Sequence, residues 1–212
     1  MRKPIDISVR LHERMPLWPG SPGVRVSRTR SFEAGDEVTE SRLDMDVHCG
    51  THVEGSMHLI AGGDSLQTIP LDAFVGLAWV ADLRGTREIG VDDLESSAVP
   101  ADIERLLIRT NNSELWSDER HTFRRDFAAL TPDGATWVVD HGIRLVGLDY
   151  LSVQLYDDDL ETHRILMRAG VAILEGLNLA SVASRAYRLT CLPLSLSETE
   201  AAPARAILEE LA

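Results

Sequence analysis

Four potential metal ligands lie close together in the stretch His48-Cys-Gly-Thr-His-Val-Glu-Gly-Ser-Met-His58. They are His48, His52, Glu54 and His58, all at even-numbered positions. Imidazole nitrogens and carboxylate oxygens are the donors that zinc, manganese and iron(II) take in proteins. If these polar side chains packed on one side without an ion, each would need another hydrogen-bond partner. The stretch therefore predicts part of a metal site.

The residues that precede this stretch alternate between apolar and polar types, as in a half-buried strand. Between positions 37 and 47, Leu43 and Val47 fall on one face, whereas Asp44 and Asp46 fall on the other. Continued in an extended conformation, this period places the four candidate ligands on the polar face with the two aspartates. A helix would also bring two ligands together through His-x-x-x-His, but the glycines and β-branched residues of the stretch disfavour it. We therefore expect a strand that runs into a glycine-containing turn.

Apolar runs bounded by turn residues predict the remaining regular elements. Strands are expected over residues 5–11, 24–32, 37–47, 76–83, 106–110, 144–149, 171–175 and, as the last strand, 187–196. Helices are expected over residues 132–141 and 161–169. Because the first half is rich in strands and the second half alternates strands with helices, this order predicts a mixed α/β fold.

The composition limits the number of domains and the kinds of partner. The chain has 212 residues, 44% of them hydrophobic and 26% charged, and no repeat or linker, so a single domain over residues 1–212 is expected. A formal net charge of −13 argues against nucleic acid or an anionic membrane as a partner and leaves a small-molecule substrate. The chain shows no apolar leader or membrane-spanning stretch, and its two cysteines imply no disulfide framework, so a cytoplasmic location is expected.

The rest of the metal site must come from elsewhere in the chain. The candidates are carboxylates at strand ends and the other histidines, His12, His121, His141 and His163. Glu175 closes an apolar strand, where a buried carboxylate is costly unless it is paired or bound to a metal. Pairing of Glu175 with an arginine, such as Arg164 or Arg168, is the alternative, and the pattern alone leaves both open.

Other residues that could carry chemistry have interpretations of their own. Cys49 faces the apolar side of the predicted strand and is expected to be a small buried residue. Asp149 ends a strand and is expected to accept hydrogen bonds, whereas His121 and His141 are expected at the surface. Trp18 stands on a proline-rich loop, where it either walls an aromatic substrate or packs against the core.

Several motifs, in the same order, resemble those of the cyclase family of metal-dependent hydrolases, which includes bacterial kynurenine formamidases and isatin hydrolases. The family motif His-x-Gly-Thr-His-x-Asp-x-Pro-x-His is matched here at His48, Gly50, Thr51, His52 and His58. Further matches extend over most of the chain: Met15-Pro-Leu-Trp-Pro-Gly, Ile69-Pro-Leu, Val146-Gly-Leu-Asp149 with Ser152, His163-Arg, Glu175-Gly-Leu, Leu192-Pro-Leu and Ala202-Pro-Ala-Arg. Several motifs in order are much more specific than any one of them.

The resemblance implies roles for particular residues. One or two divalent ions, zinc or manganese, would be bound by the residues that match the family ligands: His48, His52, Glu54 (at the aspartate position), His163 and Glu175. The residue that matches His58 would be the catalytic acid or base, and Trp18 would wall the substrate. The resemblance also implies a swivelling β/α/β fold and a homodimer or larger assembly.

The chain departs from the family pattern at two positions. Glu54 replaces the aspartate, which adds a methylene and lets the carboxylate oxygens reach further. It would still bridge two ions after a small backbone shift, or it would favour a single ion, or manganese over zinc. Ser56 replaces the proline, which removes a fixed φ and frees an N–H beside the substrate space. Both changes bear on the substrate more than on metal binding.

The predicted function is the metal-dependent hydrolysis of a C–N bond in an arylformamide or cyclic amide that resembles N-formylkynurenine. The ions would lower the pKa of a bound water toward ~7 and polarise the carbonyl, while His58 would take or give a proton. The same centre would also suit an ester or lactone hydrolase, or a cyclase or dehydratase. A non-catalytic protein with a structural metal is the remaining alternative, although a closed structural site would leave no use for His58.

Overall fold

The computed structural model describes residues 3–117 and 122–211, which form a single mixed α/β domain. Its strands are β1 (Ile5–Asp6), β2 (Arg25–Arg30), β3 (Glu40–Asp44), β4 (His52–Glu54), β5 (Val75–Asp82), β6 (Glu88–Ile89), β7 (Arg105–Arg109), β8 (Ala129–Leu130), β9 (Leu145–Leu148), β10 (Ala172–Glu175), β11 (Ala186–Pro193) and β12 (Ala201–Glu210). Its α-helices are α1 (Val91–Ser96), α2 (Pro132–Asp140) and α3 (Glu161–Arg168). Short 3-10 helices lie at Phe32–Ala34, Ser56–His58, Leu66–Thr68, Leu71–Ala73 and Asn111–Ser117. In the part of the chain that is described, none of the helices has the length and apolar character needed to cross a membrane.

Seven strands close into a barrel in the order β12–β11–β5–β7–β9–β10–β4, because β4 pairs again with β12. Closure depends on β12, which is ten residues long. This strand pairs with β11 on one side, and with β4 and β1 at different places on the other. The mixed α/β class expected from the order of elements is confirmed.

The helical connections make half of the barrel parallel. Strands β5, β7, β9 and β10 run parallel to one another, and the three α-helices lie in the connections between them. Parallel neighbours require crossovers of this kind. In contrast, β4 runs antiparallel to β10, in the register that places His52 opposite Glu175. Backbone pairing alone thus brings together two residues that are far apart in the sequence.

Apolar side chains fill both sides of the barrel wall. One cluster takes residues from every barrel strand and fills the interior, whereas the other lies between the wall and the helices. Leu107 and Ile108, neighbours in β7, belong to the interior and outer clusters respectively. Consecutive side chains of a strand point to opposite faces, which explains this division.

Both predicted helices are confirmed, as α2 and α3. The four strands predicted over residues 76–83, 106–110, 144–149 and 171–175 are confirmed as the parallel half of the barrel. The prediction that the strand over 187–196 is the last one is wrong, because β12 follows it. The sequence of β12 is rich in small residues and contains Pro203, which cannot donate to a ladder, so its strand signal is weak.

The strand predicted over residues 37–47 is present only as β3, Glu40–Asp44, and the prediction that it is half-buried is wrong. Among the described strands, β3 pairs only with β2, in a two-stranded sheet apart from the barrel, and both strands are exposed along their length. Leu43, for example, is 54% exposed. Residues 45–51 then lie outside any strand before β4 begins, so the alternation of β3 does not continue into the ligand segment.

Candidate metal centre

Four of the predicted ligands lie together and are buried: His52, Glu54, His163 and Glu175, here called the buried quartet. His163 Nε2 is 2.9 Å from Glu54 Oε1 and 3.2 Å from Glu175 Oε1. The other oxygen of Glu175, Oε2, is 3.5 Å from His52 Nε2. Imidazole nitrogens and carboxylate oxygens therefore converge on a common space, as the ligands of a divalent transition metal do.

Regular secondary structure positions the whole quartet. His52 and Glu54 stand two residues apart on β4, so their side chains point to the same side of the strand. Glu175 ends the neighbouring strand β10, directly opposite His52. His163 lies in α3, the helix that leads into β10, and its buried face carries the imidazole toward the strands.

The signature His-x-Gly-Thr-His has a structural reason in this fold. Gly50 has a φ of +72°, in the left-handed region that favours glycine, and its carbonyl lies 2.9 Å from His52 Nδ1. Gly176 packs so closely against this turn that a Cβ there would lie 2.2 Å from the Gly50 oxygen. The Thr51 hydroxyl donates a hydrogen bond to the Gly176 carbonyl at 2.5 Å. These contacts fix the two chain segments where His52 meets Glu175.

A residue that no sequence pattern singled out, Gln154, orients the second imidazole of the quartet. His163 Nδ1 lies 2.6 Å from Gln154 Oε1, so its N–H donates to the amide and leaves Nε2 free for a metal. The adjacent N–H of Val153 donates to Glu175 Oε1 at 2.6 Å. One short segment therefore holds two members of the quartet. The available signal for Gln154 was its position two residues after Ser152, which belongs to a family motif.

His48 and His58 lie beside the buried quartet and are partly exposed. Glu54 Oε2 is 3.2 Å from His48 Nδ1 and 3.8 Å from His58 Nε2. Glu54 thus faces His163 with one oxygen and these two histidines with the other. His48 Nε2 also lies 3.4 Å from Glu200 Oε1. No sequence pattern pointed to Glu200, which directly precedes the unpredicted strand β12.

Burial and charge act in opposite directions on the ionisable groups of the centre. Burial alone would lower the pKa of His163, but the carboxylates of Glu54 and Glu175 outweigh it and raise the pKa to about 10. Burial would raise the pKa of Glu54, yet His163 and His48 hold it well below its ordinary value. The pKa of His48 is likewise raised, because Glu54 outweighs burial. The carboxylates therefore require positive charge nearby, which protonated imidazoles or a cation can supply.

The donor set fits one or two divalent ions. Two groups offer ligand atoms within 4.8 Å of one another, namely His48, Glu54 and His58, and then His52, Glu54 and Glu175. Glu54 belongs to both groups. In the part of the chain that the structure describes, His48 Nε2 and Glu54 Oε1 are buried without an aligned hydrogen-bond partner. Buried polar atoms of this kind require an explanation, and a bound cation provides one.

A cavity of about 390 Å³ opens onto the centre. Predicted site residues line it: Trp18, His48, Glu54, His58, His163 and Glu175. Its volume is typical of a small-molecule site. Trp18 lines the cavity, and its ring also packs 5.1 Å from Phe123 and 5.5 Å from Tyr156 between ring centroids. With 39% of its surface exposed, Trp18 remains accessible to a ligand.

The contacts of Glu175 exclude the arginine alternative. Arg164 donates to the carbonyl of Asp159, and Arg168 pairs with Glu161. Neither arginine is therefore the partner of Glu175, which contacts His163 and His52 instead.

Three smaller predictions are confirmed. Cys49 is buried, and burial raises the pKa of its thiol to about 11, which keeps it protonated. Asp149 is buried at the end of β9 and accepts hydrogen bonds from Thr110 and Ser113. His141 is exposed. His121 lies outside the described residues, and His12 is not among the residues that line the cavity.

Two of the polar residues expected beside the ligands, Asp44 and Ser56, are not among the residues that line the cavity. Asp46 lines the cavity, but Asp44 ends the exposed strand β3 and does not join it. Ser56 is not among the residues that line the cavity either. Its hydroxyl accepts a hydrogen bond from the N–H of Asp64 at 2.9 Å, so a side-chain contact holds the turn where the family has a proline ring.

Comparison with known sequences gives matches over nearly the whole chain. A family model described as a putative cyclase matches residues 5–154. Kynurenine formamidase of Geobacillus thermodenitrificans (strain NG80-2) is 35% identical, over 98% of this chain and 97% of its own length. Cyclase-like protein 3 of Oryza sativa subsp. japonica is 33% identical, over 96% of this chain and 78% of its own.

Solved structures share the fold. A potential metal-dependent hydrolase with cyclase activity superposes with a TM-score of 0.84 at 33% identity, and 99% of each chain is covered. Isatin hydrolase A from Ralstonia solanacearum also gives a TM-score of 0.84, over 98% of this chain and 92% of its own, at 20% identity. At that lower identity the likeness shows the fold alone.

Proposed function

Because the chain belongs to the cyclase family, we propose that it is a metal-dependent hydrolase that cleaves the C–N bond of an arylformamide or a cyclic amide. The observation that carries this proposal is the buried quartet beneath a cavity with an aromatic wall. The full-length relative that is a kynurenine formamidase supports an arylformamide as the substrate.

The proposed ligands of zinc or manganese are the quartet and His48. Glu54 would be shared between two ions, or would complete the site of one, since its two oxygens face different histidines. A divalent ion held there supplies Lewis acidity, which activates water and polarises a carbonyl. The hydrogen bonds to Gly50 and Gln154 keep the Nε2 atoms of His52 and His163 directed at the ligand space.

His58 is the proposed acid–base residue. It stands outside the quartet, lines the cavity and leaves 34% of its side chain exposed. Burial lowers the pKa of His58, and Glu54 only partly opposes this effect. The imidazole is therefore largely neutral at pH 7, where it can accept a proton from the attacking water. It can then return that proton to the leaving nitrogen.

Hydrolysis of formanilide and of N-formylkynurenine tests this proposal, with protein loaded with zinc or with manganese and a chelated control. Release of aniline or kynurenine only by the metal-loaded protein would support it. If protein that retains its ions cleaves neither of these formamides nor a cyclic amide such as isatin, the proposal fails. Turnover of an aryl ester or lactone in that case would identify the same centre as an esterase or lactonase.

We also propose that the protein acts on a small molecule in the cytoplasm as a homodimer or larger assembly. The exposed hairpin of β2 and β3 supports self-association, since it exposes Val26 and Leu43 and an isolated two-stranded sheet is marginal in water. Sedimentation equilibrium would measure the assembly, and a monomer at all concentrations would contradict it. The swivelling β/α/β arrangement stays a prediction.

A further inference from the structure

The cavity above the buried quartet has an uneven distribution of charge. Its described lining residues include three carboxylates, Asp46, Glu54 and Glu175, but no lysine or arginine. Glu54 and Glu175 are proposed metal ligands, and in a site with a single divalent ion their two charges would be balanced. Asp46 is not needed for that purpose, so it leaves a negative charge on the wall.

Asp46 belongs to a well-connected part of the wall. The hydroxyl of Ser21, another lining residue, donates a hydrogen bond to the Asp46 carboxylate. The carbonyl of Asp46 accepts a hydrogen bond from the N–H of Cys49 at 3.3 Å. These contacts connect the loop that carries Trp18 to the turn that carries His48, so the carboxylate has a fixed place in the cavity.

The remainder of the wall is largely apolar. Leu151 and Leu160 line it together with Trp18. Arg125 lies 4.7 Å over the ring of Tyr156 and is not among the lining residues. A carboxylate on a bound aryl ring would therefore lose its water against leucine side chains without gaining a lysine or arginine partner among the described lining residues, which is unfavourable.

We infer that this site selects aryl amides whose ring carries no negative charge, and that Asp46 and Leu160 determine this selectivity. The inference rests on the proposed hydrolase function and narrows its substrate class. An uncharged formanilide or cyclic anilide would lie with its ring against Trp18 and its C–N bond over the quartet. A carboxylate on the same ring would meet the apolar wall and the like charge of Asp46.

A matched pair of substrates tests the inference. N-formylanthranilamide and N-formylanthranilate share the formanilide core and differ in the charge of one ortho substituent. With the metal-loaded protein, we expect kcat/KM to favour the neutral amide by about tenfold or more, because the carboxylate would lie near the like charge of Asp46. Calorimetric binding of both compounds gives the same comparison without relying on turnover.

Variants of Leu160 add the cation that the wall lacks. Leu160 is 37% exposed and has a φ of +72°, so arginine and glutamine would incur the same backbone cost there and have room to reach water. Leu160→Arg should raise kcat/KM for N-formylanthranilate by about tenfold relative to the amide. Leu160→Gln, whose side chain is of similar length but uncharged, should leave this ratio of kcat/KM values unchanged. Asp46→Asn retains an acceptor for the Ser21 hydroxyl but removes the negative charge. It should reduce the preference in kcat/KM for the neutral amide by a few-fold.

The outcomes separate this inference from the proposed function. Preference for the neutral amide that shrinks in Leu160→Arg and Asp46→Asn supports the inference. Equal or better use of the carboxylate by the wild-type protein overturns it, as does a preference that neither variant changes. If neither compound is cleaved while both bind, the binding ratio alone decides the charge selectivity, and the hydrolysis of formanilide and N-formylkynurenine decides the proposed function.

Discussion

The two halves of the site differ in how the chain supports them. The buried quartet stands on β4, α3 and β10, and its members are hydrogen-bonded or paired with one another. His48, His58 and Trp18 stand outside the barrel strands, with 28%, 34% and 39% exposure respectively. Rigid elements hold ligand atoms more accurately than loops do, whereas loops tolerate changes that suit a substrate. Substitutions in the quartet and of His48 should therefore affect the metal, and substitutions of His58 and Trp18 should affect turnover or substrate binding.

The largest expected effect is on metal binding by the quartet. Glu175→Gln should weaken metal binding by more than ~100-fold, because a neutral amide replaces a buried carboxylate, a loss greater than that of an outer hydrogen-bond partner. Competition with a chromogenic chelator measures the metal affinity of each variant. Glu200→Gln makes the same chemical change at a carboxylate outside the quartet and should retain the metal. Unchanged affinity in Glu175→Gln would remove this residue from the ligand set.

His58→Gln should separate catalysis from metal binding. Turnover should fall by ~10²–10⁴-fold, since the acid–base group is lost, while the metal content stays that of the wild-type protein. Elemental analysis and steady-state kinetics on the same preparation measure both. Loss of metal in this variant would make His58 a ligand and would extend the metal centre to the partly exposed residues beside the quartet.

Gln154→Leu tests whether the orientation of His163 matters for the metal. Without the acceptor at 2.6 Å, the imidazole loses its preferred tautomer, and metal affinity should fall by ~10–100-fold. Gln154→Glu restores an acceptor and should bind metal at least as tightly as the wild-type protein. If the leucine variant binds metal normally, hydrogen bonding by Gln154 has no part in the centre.

Metal binding should release a proton from the quartet. The pKa of His163 is raised to about 10, so at pH 6 to 8 its imidazole is protonated and must lose that proton to bind an ion. Lower pH favours the protonated form, so affinity should fall by about tenfold per pH unit for one proton. Calorimetry in buffers of different ionisation enthalpy counts the protons. No release at pH 7 would contradict the assignment of His163 as a ligand.

The smallest expected effect lies in the exposed half. Trp18→Leu removes the ring that lies against the cavity and should raise KM for an aryl amide by ~3–10-fold, the usual value of an aromatic contact. Metal content should not change. Trp18→Phe retains an aromatic face and should stay close to wild type. An equal loss in both variants would mean that the indole packs against the core rather than against the substrate.

The sequence by itself determined the donor types, the enzyme class and most of the regular elements. His48, His52, Glu54 and His58 were found from residue type and spacing, because a metal selects donor atoms and these lie in one short segment. The family resemblance, and not spacing, pointed to His163 and Glu175. The predicted class, a metal-dependent hydrolase of C–N bonds in the cyclase family, is confirmed by the relatives. Buried apolar runs were sufficient to place the parallel strands and the two longer helices.

Only the tertiary structure decided how these residues are arranged. The predicted strand placed all candidate ligands on one face, yet His52 and Glu54 lie on a three-residue strand and His48 lies before it in a turn. The closing strand β12, the Gln154 amide and the Asp46 carboxylate in the cavity depend on contacts between distant segments. Local periodicity records which face of an element is buried, but not which other segment covers it. The metal-binding donor atoms could therefore be predicted from the sequence, whereas the features proposed to set selectivity became visible only in the tertiary structure.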